Sequence, residues 1–295
     1  MQKYIDDFKL MLEIRGLTDN TMKSYISYLK AFLNYVQTYL HKTPEMVDWG
    51  ELRGYIYHLK NIVKLNPRSI NAHISQLRFF YLYVLHKSWD KYQMPFHKFD
   101  TYLPLIISQQ EMHYFINSME NLKHKALASL MYSSGLRVSE ARNLKYKDIS
   151  RKNMTIYIAR TKNRSDRYAI LSENALNILT EYWYAYGKPK DLLFPSTQIK
   201  GKPIVSYTVL RFIKDHEKRL GWEPRLNCHS LRHCFGTHLY ENGADLITIK
   251  NLLGHKSLNS TTVYVHLGIG TRNKNIIISP FDKPVSLHNN TVGTS

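Results

Sequence analysis

The sequence predicts a mainly α-helical protein with a small antiparallel β-sheet, divided into two domains. Apolar residues recur at helical spacing through residues 1–93. A segment with two prolines and no clean periodicity, residues 91–106, separates this part from the rest. Further along, residues 153–159 and 167–171 alternate apolar and polar side chains, as half-buried strands do. The 295 residues are enough for two domains of ordinary size.

The first part of the chain predicts four helices joined by short turns. They cover residues 2–15, residues 19–40 after the candidate N-cap Thr18, a third helix from Pro44 or Asp48 to about Lys60, and a fourth that begins at Pro67. The apolar positions on their inward faces are Ile5, Phe8, Leu12, Tyr25, Leu29, Phe32, Leu33, Val36, Ile70, Ile74, Leu77, Phe80 and Tyr81. Four such helices can bury a core of their own.

The second part predicts helices on either side of one hairpin. Ser108 and Glu111 have the spacing of a capping box, which marks the start of a helix. Further helices are predicted at 122–134, as a short helix from Ser139, and at 173–186, 206–219, 230–242 and 245–253. The sequence TKNRSD, between the two alternating segments, predicts a hairpin turn.

The charge of the chain predicts a polyanionic partner. Lys and Arg number 41 against 23 Asp and Glu, so the formal net charge is +18 and the pI is near 9.7. Nucleic acid is the expected partner for such an excess, although ribosomal and membrane-surface proteins share it.

The sequence also predicts a cytoplasmic protein without a membrane partner. No segment has the uninterrupted apolar length of a membrane span, and the acidic, amphipathic N-terminal residues do not have the pattern of a signal peptide. The two cysteines, Cys228 and Cys234, are too few for a disulfide framework, which favours a reducing compartment.

Six residues in the second part are ordinary when each is considered alone. Arg137 follows a glycine that ends a predicted helix, Lys162 lies in the predicted hairpin turn, and Tyr264 is one of 22 tyrosines. His229 and Arg232 open a predicted helix, so that backbone N–H groups and a guanidinium are expected to face one anion. His255 follows the Gly254 that ends another helix.

Taken together, the order and spacing of these residues resemble the active-site signature of the tyrosine recombinase (phage integrase) family. The stretch HSLRHCFGTHLYENGADLITIKNLLGHKSLNSTTVYVH, residues 229–266, is similar to the second signature box of the family. The stretch YSSGLRVSEARNLKYKDI, residues 132–149, matches the first box. The resemblance covers residues 104–267 in order, and the helical N-terminal part is similar in kind to the core-binding (SAM-like) domain of the family.

The resemblance implies a division of the chain and a simple two-domain type of recombinase. A core-binding domain is expected at residues 1–93, a linker at 94–105, a catalytic domain at 106–272 and a C-terminal tail at 273–295. Since the first helix begins near residue 2, we expect no arm-binding domain before it. Residues 268–281, with the apolar Ile276–Ile278 and Phe281, are expected to pack on a neighbouring protomer or on their own catalytic domain.

The resemblance also implies a role for each of the six residues. Arg137 and Arg232 would clamp the scissile phosphate, because planar guanidinium groups match two non-bridging oxygens. Tyr264 would be the nucleophile that forms a 3′-phosphotyrosyl bond. Lys162 would protonate the leaving 5′ oxygen, although Lys152 and Arg164 are close to it in sequence. His229 would bind the phosphate and accept the tyrosine proton, and His255 would support the phosphate from the other side.

No metal and no cofactor are expected. Cys228, His229, His233, Cys234 and His238 form a cluster in sequence that is suggestive of zinc, but one helix cannot turn all five side chains to one point. We expect Cys234, Phe235 and Leu239 to face the core instead.

Double-stranded DNA is the expected partner, held by both domains. The basic residues that are candidates for DNA contacts are Lys23, Lys30, Lys60, Lys64, Arg68, Arg78, Lys145, Lys147, Arg164, Arg211 and Lys214. By the resemblance, four protomers would assemble on two duplexes and exchange strands through a Holliday junction, from a free monomer or dimer. Two alternatives stay open: DNA relaxation of the type IB topoisomerase kind, and a non-catalytic DNA-binding regulator with the same fold.

Overall fold

A computed structural model describes residues 1–100, 103–159, 166–223 and 225–268. The chain divides into two units, Met1–Tyr102 and Leu103–Ser295, and each unit has a hydrophobic core of its own. In the described part, the first unit contains α1 (Gln2–Ile14), α2 (Asp19–Tyr35), α3 (Trp49–Asn61) and α4 (Pro67–Tyr83). The second contains α5 (Gln109–Asn117), α6 (Leu122–Ser133), α7 (Val138–Arg142), β1 (Ile149–Ser150), β2 (Thr155–Ile158), β3 (Arg167–Ile170), α8 (Glu173–Ala185), α9 (Ser206–Arg219), α10 (Cys228–Glu241), α11 (Leu246–Leu253) and α12 (Val263–Gly268). The predicted fold class is therefore confirmed.

The core of the first unit is built on aromatic rings from all four helices. Phe8, Phe32, Tyr55 and Phe80 are each 1% exposed or less. Their rings meet edge to face, for example Phe32 and Tyr55 with centroids 5.3 Å apart, which is a favourable geometry for aromatic pairs. The predicted inward positions of α1 and α4 are all buried.

The structure corrects the predicted second helix. α2 ends at Tyr35, and residues Val36–Leu40 form a single π-helical turn that ends at His41 in the left-handed conformation. Thr18 holds the N-cap position without a side-chain cap bond, since its hydroxyl pairs with that of Thr21. Each of the two candidate starts of the third helix begins an element. Pro44–Met46 form a 3-10 turn, and Asp48 then caps α3 by accepting from the backbone N–H of Glu51.

The segment predicted as a linker begins on the first unit. Met94 is buried in the core of that unit. The side chain of Asn71 on α4 donates to the carbonyl of His97 and accepts from its N–H, at 2.9 and 2.8 Å. The chain therefore stays attached to α4 through residue 97.

The three strands of the second unit form one antiparallel sheet in the order β1-β2-β3. Ile156 pairs with Ala169, and Ile158 pairs with Arg167. The side chains of Ile156, Ala169 and Ile158 are buried. The two predicted strands are thus confirmed. β1 was not predicted, because two residues are too few to show an alternation of apolar and polar side chains. The predicted hairpin turn falls on residues 161–166, and of these the structure describes only Asp166.

α10 is the central helix of the second unit and packs against α6, α11 and α12. The predicted helices at 122–134, 173–186, 206–219 and 245–253 are confirmed within two residues. α10 begins at Cys228, two residues before the predicted start, because Asn227 caps it. α12 was not predicted. None of the described helices has the length and apolar character needed to cross a membrane.

Candidate active site

Arg232 projects from the first turns of α10 into the interior of the second unit, where it is 4% exposed. Its Nη1 donates to the carbonyl of Gly135 at 2.7 Å, and its Nη2 donates to the carbonyl of Leu253 at 2.5 Å. These acceptors lie after α6 and at the end of α11, so the guanidinium is held between two chain segments remote in sequence. Burial lowers its pKa to about 10, with a smaller contribution from Arg137, and the group stays protonated at neutral pH.

Three arginines surround the single carboxylate of Glu140 on α7. Arg137 Nη1 and Arg167 Nη2 each lie 2.8 Å from a different carboxylate oxygen, and Arg232 Nη1 lies 3.8 Å away. Glu140 is 6% exposed, and Arg137, at 18%, is the most exposed of the three arginines. Three cations against one anion leave an excess of positive charge in a buried cluster. Such a cluster is suited to an anionic group that offers two oxygens to one guanidinium.

Tyr264 lies beside this cluster on α12. Its side chain is 1% exposed, and its ring lies flat against Gly236 of α10, where an added Cβ would come within 2.5 Å of the ring carbon Cζ. Burial raises the pKa of Tyr264 to about 12, although Arg232 and Arg137 act in the opposite direction. The phenol is therefore protonated at neutral pH and needs a base to become a nucleophile.

Two histidine rings also lie close to the ring of Tyr264. The His255 ring is nearly parallel to it, with centroids 6.4 Å apart, and the His255 Nδ1 is 2.9 Å from the hydroxyl of Thr261. The His233 centroid lies 6.2 Å from Tyr264 and 6.3 Å from exposed His229. Burial, and then nearby cations, lower the pKa values of His233 and His255 to about 4, so both rings are neutral at neutral pH.

Two family models together match most of the chain. Residues 106–269 match the phage integrase family, and residues 4–91 match the N-terminal SAM-like domain of phage integrases. The chain belongs to the phage integrase family of tyrosine recombinases.

Relatives agree with this membership, and a solved structure shares the fold. An integrase/recombinase of Sinorhizobium fredii is 36% identical over 92% of this chain and 86% of its own. A tyrosine recombinase of Pseudothermotoga lettingae is 32% identical over 90% of this chain and 94% of its own. The fold is similar to that of a lambda integrase dimer bound to a COC' core site, with a TM-score of 0.71 and 20% identity over 90% of this chain and 94% of that one.

The structure brings five of the six predicted site residues into one neighbourhood. Arg137 and Arg232 lie near the same Glu140 carboxylate, and both lower the pKa of Tyr264. His255 stacks on Tyr264, and His229 lies near Tyr264 through His233. Lys162 and Arg164 lie outside the described residues. Family membership does not by itself assign these roles, which stay predictions.

One expectation about this site is wrong. The backbone N–H groups of His229 and Ser230 do not face an anion, because both donate to the Asn227 side-chain oxygen, at 2.8 and 3.2 Å. The cap that starts the helix takes up the donors that an anion would need. These two N–H groups are therefore already paired within the chain.

Sequence reasoning missed Glu140, Arg167 and His233. Glu140 stands three residues after Arg137, which lies just before a predicted short helix. A glutamate at this spacing is expected to accept from the backbone N–H of the cap residue, and this signal could have identified Glu140. His233 follows Arg232 in the second box, and its position beside Tyr264 could not be read before α12 was known. No signal within β3 distinguishes Arg167 from other basic residues of the hairpin.

The remaining predicted residues lie as follows. Cys234 and Phe235 are buried and Leu239 is partly buried, and no group of metal-ligating side chains occurs among the described residues. The DNA-contact candidates that the structure describes are exposed, except half-buried Lys145. Lys145 pairs with Asp191 at 3.0 Å and Arg211 with Asp215 at 3.6 Å.

Proposed function

We propose that the chain is a site-specific DNA recombinase that cuts and rejoins DNA strands through a covalent bond between Tyr264 and a 3′ phosphate. The observation that carries this proposal is the position of Tyr264 beside a buried cluster of three arginines and one carboxylate. The cluster has the charge for a phosphodiester, and the tyrosine has the nucleophilic oxygen.

Arg137 and Arg232 are the proposed phosphate clamp. Arg232 uses two of its donors on the carbonyls of Gly135 and Leu253, which leaves further N–H groups of its fork for a ligand. Arg137 binds Glu140 through Nη1, so the remaining edge of its guanidinium is available to a phosphate. Donors held in place before the substrate arrives stabilise the charge that develops in the transition state, typically by ~3–4 kcal/mol per donor.

Tyr264 is the proposed nucleophile. Its oxygen attacks phosphorus, the bond from phosphorus to the 5′ oxygen breaks, and a 3′-phosphotyrosyl bond and a free 5′ hydroxyl result. Because the pKa of Tyr264 is about 12, its proton must pass to a base as the bond forms. We assign the role of base to His229, because the neutral His233 ring lies between it and Tyr264. His255 would support the phosphate from the other side.

Lys162 is the proposed general acid for the leaving 5′ oxygen. The reverse attack by a 5′ hydroxyl on the phosphotyrosine rejoins a strand without ATP, since the covalent bond conserves the energy of the phosphodiester. No metal or cofactor enters this sequence of steps.

The domain and assembly predictions become part of the proposal. Residues 1–93 would bind DNA as a core-binding domain, 94–105 would act as the linker, 106–272 would carry catalysis, and 273–295 would be the tail. Exposed basic residues on both units, including Lys23, Lys30, Lys60, Lys64, Arg68, Arg78, Lys147, Arg211 and Lys214, would contact DNA phosphates. Four protomers on two duplexes would exchange strands through a Holliday junction in the cytoplasm.

The test is covalent capture on a nicked duplex. The duplex sequence that the protein binds best is first selected from a random library, and single nicks are then placed so that the cut strand loses a short fragment and cannot be rejoined. We expect a protein–DNA adduct that survives denaturation with the wild-type protein and is absent with Tyr264→Phe. Tyr240→Phe is the matched control, since Tyr240 belongs to the same buried cluster as Tyr264.

The other outcomes discriminate between the alternatives. An adduct that persists in Tyr264→Phe would remove Tyr264 as the nucleophile. Tight binding of the selected duplex without any adduct would favour a binding protein. Relaxation of supercoiled DNA without exchange of flanks between two duplexes would indicate a topoisomerase.

A further inference from the structure

We infer that Arg167 is a positioning residue of the phosphate clamp, and that it acts through Glu140. This inference rests on the proposed function, because it assigns a part in the cleavage reaction to a residue outside both signature boxes. Arg167 is the first residue of β3, and its side chain is 8% exposed.

The first observation is the division of Glu140 between two arginines. Oε1 pairs with Arg137, while Oε2 accepts from Arg167 Nη2 at 2.8 Å and from the backbone N–H of Arg137 at 2.9 Å. Arg232 Nη1 lies 3.8 Å from Oε2, beyond hydrogen-bond distance. Arg167 therefore occupies the oxygen that Arg232 would otherwise bind, which keeps the Arg232 guanidinium on its two carbonyls.

The second observation is the burial of Arg167 without full pairing. Its Nε and Nη1 atoms are buried and have no hydrogen-bond partner among the described residues. A buried guanidinium with unpaired donors is costly, so its ion pair with Glu140 is the contact that holds it. Burial lowers the pKa of Arg167, and Glu140 is the largest influence that opposes the shift.

The third observation is the contact between Arg167 and Gly254. An added Cβ at Gly254 would lie 2.7 Å from Arg167 Cδ and 2.8 Å from its Nε, so the side chain lies directly on this residue. Gly254 stands between Leu253, whose carbonyl binds Arg232, and His255, which stacks on Tyr264. One side chain of β3 thus contacts the carboxylate of the clamp and the turn that connects the clamp to the nucleophile.

Loss of Arg167 has two expected consequences for cleavage. Oε2 of Glu140 becomes available to Arg232, which moves that guanidinium from the position that faces the phosphate. The cluster also loses one positive charge. Because Arg167 is buried, the affinity for DNA should change much less than the rate of the chemical step.

The test compares single-turnover cleavage of the nicked duplex at saturating protein with the Kd for the same duplex. We expect Arg167→Gln to slow cleavage about 10- to 100-fold, because a misplacement of about 1 Å at a reacting group can cost about 100-fold in rate. The Kd should stay within about threefold, because exposed phosphate contacts are untouched. Arg167→Lys, which retains the charge, should recover part of the rate. Arg151→Gln is the matched control. Arg151 is an exposed arginine beside the same sheet, and its side chain donates to the hydroxyl of Thr180.

A double-mutant cycle decides whether Arg167 acts through Glu140. In a Glu140→Gln background, Arg167→Gln should add less than about a threefold loss, since both changes remove one interaction. Losses that multiply in full would show an independent, merely structural role and would overturn the inference. A circular-dichroism melt of each variant separates loss of fold from loss of rate, and Arg167→Lys provides a second variant if Arg167→Gln does not fold.

A modified substrate separates the clamp from the leaving group. A duplex with sulfur in place of the bridging 5′ oxygen needs no general acid, because a thiolate leaves without protonation. We expect the Arg167→Gln defect to persist on this duplex. Disappearance of the defect would mean that Arg167 acts on the general acid, and the inference would be wrong. Equal rates for wild type and Arg167→Gln would overturn the role of Arg167 alone, whereas no adduct with the wild type would overturn the proposed function itself.

Discussion

Replacement of Gly254 by alanine should destabilise the second unit through two separable effects. Gly254 ends α11 in the left-handed conformation, with φ of +64°, and a side chain there costs about 1–2 kcal/mol. The new Cβ would also lie 2.7 Å from Arg167 Cδ, so the arginine must move and lengthen its 2.8 Å bond to Glu140. A buried hydrogen bond to a charged group contributes roughly 1.5–3 kcal/mol, which makes the total loss about 2.5–5 kcal/mol.

Gly221→Ala is the matched control for the backbone effect. Gly221 follows α9 with φ of +72°, and no atom lies within 4 Å of an added Cβ. This variant should therefore lose only the backbone contribution of about 1–2 kcal/mol. Urea-induced unfolding monitored by circular dichroism gives the free energy of unfolding for each variant, provided that the slopes with denaturant agree.

The double variant Gly254→Ala/Arg167→Ala tests whether the contact with Arg167 contributes to the cost of a side chain at residue 254. Once the arginine side chain is shortened, the alanine meets nothing, and the further cost of Gly254→Ala should fall to that of Gly221→Ala. An unchanged cost of Gly254→Ala in the Arg167→Ala background would show that the contact with Arg167 is not what excludes a side chain at residue 254.

Two further predictions concern charge. Arg232→Lys should lower the rate of adduct formation about 10²- to 10³-fold. An ammonium group cannot bind the carbonyls of Gly135 and Leu253 together and still offer paired donors to a phosphate. Nearly wild-type cleavage of the nicked duplex would contradict the proposed phosphate clamp. The free energy of unfolding should fall as pH decreases from 6.5 to about 4. Buried His73 and half-buried His124, His233 and His255 have pKa values near 4 in the folded protein, so they bind protons more readily when the chain is unfolded. Urea unfolding across this range should show a smaller decline for His255→Gln, and an identical decline would contradict the lowered pKa of His255.

Much of the secondary structure could be predicted because the signals are local. The Asp48 and Ser108 caps, Pro67 and Gly254 mark helix ends through their own backbone preferences, and the structure places helix ends at each of them. The π-helical turn at Val36–Leu40 and α12 at Val263–Gly268 could not be predicted. The first continues an apolar helical pattern without a break, and the second is too short and is stabilised by packing on α10.

The sequence by itself determined the kind of chemistry. The order and spacing of Arg137, His229, Arg232, His255 and Tyr264 are properties of the chain alone, and they resemble the signature of the family. That resemblance implies a phosphate clamp and a tyrosine nucleophile. Only the tertiary structure decided how these groups are held. Glu140 lies between arginines from three separate segments of the chain. Tyr264 is buried against Gly236 with its pKa raised to about 12, and Arg167 contacts Gly254. Burial and charge proximity depend on contacts between residues remote in sequence, and no local pattern specifies them.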